Sequence, residues 1–373
     1  MFKPQGIYAD FKLYQPTIFH GENALFGLSS FPGSRIAVIC SSSVTDETKN
    51  NILKVFKKKS VQFISKSWNG EPDLESLKGS IAQIEAFCPD IILAIGGGSV
   101  IDGAKLCRLF YECPYFMGNE TRIGSIGFKT RFFVAPTTIG SGAESSSAAV
   151  YIDRESQSKK MIVSHDLQPD VIVYEKKFVC HTPYHNIVAS GLDAMSHIIE
   201  GYVSSIHNAW CEIDAENALS VLIKELSKEN TADMDFLRLQ YAGYQGGIIQ
   251  NHCVVGAAHG IAHQLSTYGF GHGEAVALLL NPVIRVNSQN ANVANQYQRL
   301  CKNAGTSVES VVSLIDTLLD RSSIGERKKE LRNLLESFVE DESFVDKVKN
   351  DLGGRGNPVE ITKSFLISVI KEL

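Results

Sequence analysis

The sequence predicts an α/β half followed by an all-helical half, and three features carry that expectation. Apolar β-branched runs alternate with helical spacing through the first part of the chain, strand-like runs stop near Pro183, and long helical patterns fill the rest. At 373 residues the chain exceeds what one ordinary core organises, so two domains are expected, 1–182 and 183–373.

In the first half, a short extended stretch at Thr17–His20 precedes Arg35–Cys40 (RIAVIC), a β-branched run suited to a strand buried on both faces. Helical spacing over Val44–Lys58, a short strand at Val61–Ile64, an amphipathic helix over Asp73–Phe87 and a buried strand at Asp90–Ile95 continue a β-α-β-α-β order. That order argues for a parallel sheet with helices on both faces. Phe132–Ala135 adds a later strand, and the Gly-bearing stretch between Tyr115 and Thr130 reads as a hairpin or an irregular connection. In the second half, helices are expected over Ile187–Ser204, Ala209–Lys228, Asp235–Ile249, Val254–Leu265, Ala275–Val286, Val293–Ala304, Val308–Leu319 and Pro358–Leu373. The charge-rich stretch Arg321–Lys349 reads as a solvated helical surface.

Composition narrows the function classes. The net charge of −5 offers no basic field for nucleic acid or an anionic membrane. The longest apolar runs, Ile91–Ile95 and Ala275–Leu280, fall far short of the roughly 20 residues needed to cross a bilayer. The opening MFKPQGIYADFKLYQ lacks the apolar segment of a signal peptide. Eight scattered cysteines with no CxxC spacing argue against a disulfide framework and for a reducing cytoplasm.

Two loops follow strands. GGGSVIDGAK (96–105) comes directly after Asp90–Ile95: its glycines let backbone N–H groups approach a phosphate, the helix beginning there favours a pyrophosphate, and Ser99 is placed to cap it. PTTIGSGAE (136–144) follows Phe132–Ala135 and offers hydroxyls and small residues at a strand's carboxyl end, where open α/β sheets gather ligands.

The helical half holds the chemistry. His259–Gly273 (HGIAHQLSTYGFGHG) contains three imidazoles; His259 and His263 share a helix face, and His272 follows a Gly-rich bend that lets its ring return toward them. Asp193 and His197 form a second pair four residues apart. A single HxxxH is more often a pair of core histidines. Two such pairs beside a nucleotide site point to one divalent ion.

GGGSVIDGAK, PTTIGSGAES, GLDAMSHIIE, the HGIAH…GHG block and NPVEITKSFLISVIKEL (357–373) together resemble the iron-containing (group III) alcohol dehydrogenase family of the dehydroquinate synthase-like superfamily, in order and over nearly the whole chain. The resemblance implies an N-terminal α/β dinucleotide-binding domain with a parallel sheet, an all-α C-terminal domain, and a cleft holding a divalent metal. Its metal ligands fall on Asp193, His197, His259 and His272, and His263 resembles the histidine that stands near nicotinamide and metal without ligating. Gly97, Gly98 and Ser99 match the pyrophosphate loop; Asp102, Thr137, Thr138 and Lys160 match positions lining the rest of the cofactor, with Lys159 able to replace Lys160 by a one-residue shift.

Departures from the family pattern are also legible. Where NAD-preferring members often carry an Asp after the second strand, this chain has Ser41 within a run of three serines, which favours NADP over NAD because an Asp would repel a 2′-phosphate. The His259–His272 spacing is thirteen, where some members have fourteen or more. The Asp after Val171–Val173 is Tyr174 here.

Three imidazoles and a carboxylate suit Fe2+ or Zn2+. The reaction implied is hydride transfer between NAD(P) and a small alcohol or aldehyde, with His263 orienting substrate or relaying the proton. Ser266, Tyr268 and Phe270 suit a short aldehyde or ketone, and a phosphonate- or sugar-derived aldehyde fits the same reading. The alternative is an NAD- and metal-dependent cyclase of the dehydroquinate synthase type, which needs clustered Lys or Arg for a substrate phosphate; residues 187–206 and 251–280 contain none. A cytoplasmic homodimer or larger homo-oligomer without nucleic-acid or membrane partners completes the expectation.

Overall fold

The computed structural model describes residues 15–41, 44–117, 126–155 and 158–373. It divides into a unit spanning Leu13–His181 and a unit containing Thr182–Leu373.

In the first unit the buried apolar runs pair as parallel strands. The strands are β1 (Thr17–His20), β2 (Arg35–Cys40), β3 (Ser60–Ile64), β4 (Ile91–Gly96), β5 (Arg131–Pro136), β6 (Ala148–Asp153), β7 (Ser158–Val163) and β8 (Val171–Tyr174). Six of them form one parallel sheet in the order β1-β8-β5-β4-β2-β3. Every residue of β4 is buried, and the strand period sends Ile92 and Ala94 to one core and Ile91, Leu93 and Ile95 to the other. The first core includes Leu77, Ile81 and Ile84 of α2 (Leu74–Phe87) and Val100, Ile101 and Ala104 of α3 (Gly98–Glu112). The second includes Ile52 and Val55 of α1 (Asp46–Val55) with Leu25 and Leu28. Helices therefore cover both faces.

From β2 the chain moves outward to β3 and then returns to the other side of β2 as β4. The winding reverses between β2 and β4, and such a switch point leaves a crevice at the strands' carboxyl ends. The register sets Cys40 against Ile95 and Gly96 against Pro136, so Ser41, Gly97 and Thr137 emerge side by side.

Some boundaries differ from expectation. α1 begins at Asp46 because the Thr45 hydroxyl accepts the Thr48 N–H, and Asp73 caps α2 reciprocally with Ser76. A hairpin forms from β6 and β7, an antiparallel pair the sequence reading missed. Consecutive lysines at 159 and 160 had interrupted its apolar alternation. The expected hairpin or irregular connection over Tyr115–Thr130 falls partly outside the described residues; Pro114–Phe116 make a short 3-10 turn.

The second unit is helical: α4 (Tyr184–Val203), α5 (Glu212–Leu226), α6 (Phe236–Cys253), α7 (Ala257–His263), α8 (His272–Asn287), α9 (Ala291–Asn303), α10 (Val308–Arg321), α11 (Lys328–Phe338), α12 (Glu342–Asn350), α13 (Leu352–Gly356) and α14 (Lys363–Glu372). The helix expected over Val254–Leu265 is reduced to α7, because Val254 takes a positive φ of 61° and Gly256 is extended. The helix expected from Pro358 starts at Lys363, where the Thr362 hydroxyl accepts the Phe365 N–H. Among the described residues no helix is long and apolar enough to cross a membrane. From Gly191 to Val203, α4 is buried all round, so each polar side chain it carries there needs a partner.

Candidate active site

Two of those buried polar residues, Asp193 and His197, lie one turn apart on α4. α7 brings His259 and His263, and α8 opens on His272. One oxygen organises the group: Asp193 Oδ1 lies 3.4 Å from His259 Nε2, 3.6 Å from His272 Nε2 and 4.0 Å from His197 Nε2. Four ligands at about 2.1 Å from a tetrahedral ion stand about 3.4 Å from one another, so these spacings match an ion's coordination shell after small shifts. Asp193, His197 and His259 are buried, with donor atoms all within 4.8 Å of one another. His272 is more open, its side chain 27% exposed, and joins the group at its rim.

The residues present fit a divalent ion. His259 Nε2 is buried and makes no hydrogen bond. The other ring nitrogen, Nδ1, shares a 2.6 Å bond with Glu200 Oε2. Burial opposes charge on this ring, but Asp193 and Glu200 outweigh it and push its pKa up to about 9. The mixed nitrogen and oxygen set is the kind that holds Fe2+ or Zn2+.

His263 stands beside the cluster. Its ring stacks on His272 with centroids 5.4 Å apart, and Nδ1 lies 3.0 and 3.1 Å from the two oxygens of Asp351. Burial would raise the Asp351 carboxyl, but the His263 ring and the Gly353 N–H hold it below the usual range. Close backbone approach makes this possible: a Cβ on Gly260 of α7 would lie 2.9 Å from the Gly354 nitrogen of α13. Sequence reasoning missed both Glu200 and Asp351. Glu200 lay in the quoted GLDAMSHIIE block, on the helix face of Asp193 and His197; nothing local marks Asp351.

One expectation for the neighbouring loop changes. Phe270 is 4% exposed and lies beneath the Arg327 guanidinium, 3.9 Å from its ring centre, while Tyr268 packs edge-on against Phe338. The Phe270 ring is taken up by packing against Arg327, whereas Tyr268 stays 50% exposed beside Phe338. Arg327 also donates to Gly269 O and to Glu274 Oε2, and Glu330 pairs with it, so its charge is neutralised there.

In the α/β unit the two loops pack on each other. A Cβ on Gly97 would lie 3.0 Å from Thr138 Cγ2 and one on Gly98 3.0 Å from Ser141 Cβ, so these glycines also serve loop contact. The Thr137 N–H donates to Gly96 O, and the buried Thr138 hydroxyl oxygen has no hydrogen-bond partner. Ser99 does not cap α3 as expected. Gly97 occupies the cap position, and the Ser99 hydroxyl, inside the first turn, donates to Gly70 O. Asp102 Oδ2 accepts the Val150 N–H, and Oδ1 lies 3.5 Å from the buried Lys105 ammonium. Lys160 is exposed and paired with Asp153, whereas Lys159 is buried and paired with Glu71. Ser41 is half-buried at the end of β2, its N–H on Ile95 O; Ser42 and Ser43 lie outside the described residues. Tyr174 ends β8 and donates to the buried Glu144.

Comparison with known proteins gives the family. The family described as iron-containing alcohol dehydrogenase matches residues 16–176, and the Fe-containing alcohol dehydrogenase C-terminal family matches 187–373. The chain belongs to the iron-containing alcohol dehydrogenase family. As a member it is an oxidoreductase, a metal-dependent, NAD(P)-linked alcohol dehydrogenase or aldehyde reductase. Its relatives include the NADPH-dependent butanol dehydrogenase of Clostridium saccharobutylicum, 24% identical over 89% of this chain and 87% of that one. Another is the 1-propanol dehydrogenase PduQ of Salmonella typhimurium, 26% identical over 96% and 98%. Identity reaches 31% with aldehyde-alcohol dehydrogenase 2 of Entamoeba histolytica, but over 59% of this chain and 27% of that longer protein, so the match spans about a quarter of its length. The fold is that of the iron-containing alcohol dehydrogenase of Thermococcus thioreducens, with a TM-score of 0.84, 24% identity and coverage of 96% and 97%. The family models and these relatives are alcohol dehydrogenases, which leaves the cyclase alternative unsupported.

Proposed function

We propose that this alcohol dehydrogenase interconverts a short-chain aldehyde and its alcohol with NADP(H) as the favoured hydride carrier, and that Asp193, His197, His259 and His272 hold an Fe2+ or Zn2+ ion. The observation that carries the reading is the convergence of three imidazole Nε2 atoms, at 3.4, 3.6 and 4.0 Å, on one buried Asp193 oxygen. When bound, the ion supplies Lewis-acid polarisation of the carbonyl oxygen.

The chain's own residues account for the other steps. His263, anchored at Nδ1 by Asp351, hands a proton to the substrate oxygen in reduction and takes it back in oxidation. Burial of Asp193, His197 and His259 limits water around the ligands and strengthens every charge interaction there. The first-turn N–H groups of α3, at Gly98 and Ser99, receive the pyrophosphate beside Gly97, with Thr137 and Thr138 lining the same loops. Asp102 and Lys160 line the rest of the cofactor, and Lys159, paired with Glu71, is the alternative to Lys160 by a one-residue shift. Ser41 donates to the 2′-phosphate, in keeping with its position where the sheet's winding reverses.

An uncharged substrate is supported by the lack of Lys and Arg in 187–206 and 251–280, and a short linear one by the butanol and 1-propanol named for two relatives. In this reading residues 1–182 carry the cofactor and 183–373 the metal and substrate. We read the protein as a cytoplasmic homodimer; its eight free cysteines support a reducing compartment.

Purified protein of measured metal content, assayed with ethanal, propanal and butanal against NADPH and NADH, tests the proposal. Turnover is expected to require the ion and to prefer NADPH, and Ser41→Asp is expected to reverse that preference by repelling the 2′-phosphate. Metal-replete protein that is inactive on every aldehyde and alcohol tried would overturn it.

A further inference from the structure

We infer that Glu200 is the positioning residue of the metal centre: its buried carboxylate fixes the tautomer and orientation of His259 and holds two of the three ligand-bearing helices, α4 and α7, together. The inference rests on the reading of His259 as a ligand. Glu200 sits on α4 one turn beyond His197, 2% exposed, and reaches across to α7. Oε1 accepts the Ala258 N–H at 2.7 Å, and Oε2 accepts the Ser196 hydroxyl at 3.1 Å and meets His259 Nδ1 at 2.6 Å. Both oxygens are acceptors, so the hydrogen in the shared bond belongs to His259 Nδ1. In the neutral ring the lone pair is then left on Nε2, the atom that faces Asp193 Oδ1.

A neutral imidazole with no such partner divides between two tautomers, and one of them carries hydrogen where the ion must bind. Glu200 removes that choice for the neutral ring that binds an ion. The same carboxylate meets one of the first-turn N–H groups of α7, which have no acceptor within the helix, and its charge lies at the favourable end of the helix dipole. α4 supplies Asp193 and His197 while α7 supplies His259, so one side chain sets the spacing of ligands from two helices. Gly256 makes room for it, since a Cβ there would lie 2.8 Å from Glu200 Oε1.

The test uses Glu200→Gln in the full chain. Glutamine keeps the size but sets an NH2 group against either the Ala258 N–H or the His259 Nδ1–H. Three quantities are read: the Zn2+ dissociation constant by competition with a chromogenic chelator, the visible absorption of the Co2+-loaded protein, and the thermal midpoint of the metal-free protein. Zn2+ binding is expected to weaken by about 10–100-fold with an altered Co2+ spectrum. In a His259→Ala background, the same substitution is expected to add little further loss. A lowered midpoint with unchanged Zn2+ affinity and Co2+ spectrum would overturn the inference, because Glu200 would then serve folding alone. If His259→Ala itself leaves Zn2+ affinity intact, the ligand assignment fails first and takes the inference with it. Glu200→Asp, which keeps the charge on a shorter arm, covers the case of an unfolded glutamine variant: weakened Zn2+ binding supports the role, and wild-type binding overturns it.

Discussion

Gly256 is occupied by glycine because of a neighbouring carboxylate and not because of its backbone. Its φ of −121° is open to any residue, but a Cβ would press on Glu200 Oε1 at 2.8 Å and on Asn357 Oδ1 at 3.1 Å. Gly256→Ala is therefore expected to destabilise the protein by about 1–3 kcal/mol, the usual cost of overpacking, and to lower its metal content. Urea denaturation and metal analysis check this; a wild-type midpoint would mean that the carboxylate simply moves aside. The same residue shows what sequence alone can carry. Asp193, His197, His259, His263 and His272 were legible because four of them fall in i, i+4 pairs and the fifth follows a glycine bend. Asp351 was not, since it stands 88 residues beyond the His263 it anchors and no spacing rule spans that distance. Ser99 misled for a local reason: a serine near a helix start suggests a cap, but here it falls inside the first turn and its hydroxyl is drawn to Gly70 O.

Elements of the α/β unit are tied together at their starts as well as by the sheet. Asp90 precedes β4, and its Oδ2 accepts the Ser34 and Arg35 N–H groups at 2.7 and 3.0 Å, linking the entries of β2 and β4. The Ser34 N–H, ahead of the opposing effect of burial, holds this carboxyl below the usual range. The unfolded value is near 3.9, so the folded value lies lower. The carboxylate's contribution to stability is thus complete above about pH 4 and is lost as pH falls through the folded pKa. On acidification below about pH 4 the stability gap between wild type and Asp90→Asn is expected to narrow, as read from paired denaturation curves; a gap independent of pH would show that the contacts survive protonation. Element existence was largely legible here, because buried β-branched runs and 3.6-residue spacing survive context. Boundaries were less so. α7 is cut short by the positive φ at Val254, which no propensity announces, and β7 was hidden behind its paired lysines.

Over the whole molecule, the proposed ligand set belongs to one of the two units. Asp193, His197, His259 and His272 all lie within Thr182–Leu373, so an ion bound there stabilises that unit by mass action, by about 2.7 kcal/mol at a hundredfold excess over the dissociation constant. Removing the ion with a chelator is expected to raise hydrogen exchange in α4, α7 and α8 and to leave β2, β4 and β5 unchanged. Mass-spectrometric exchange reads this directly, and an equal loss of protection in both units would contradict it. The sequence by itself determined the α/β-then-helical order, the two glycine-bearing loops and the identity of the clustered imidazoles, because each depends on residue type and short-range spacing. Only the tertiary structure decided which atoms meet. The convergence on Asp193 Oδ1, the carboxylates behind His259 and His263, and the packing that takes up Phe270 all depend on contacts between elements far apart in the chain. Such contacts follow from how side chains fill a shared core, and local pattern carries no record of them.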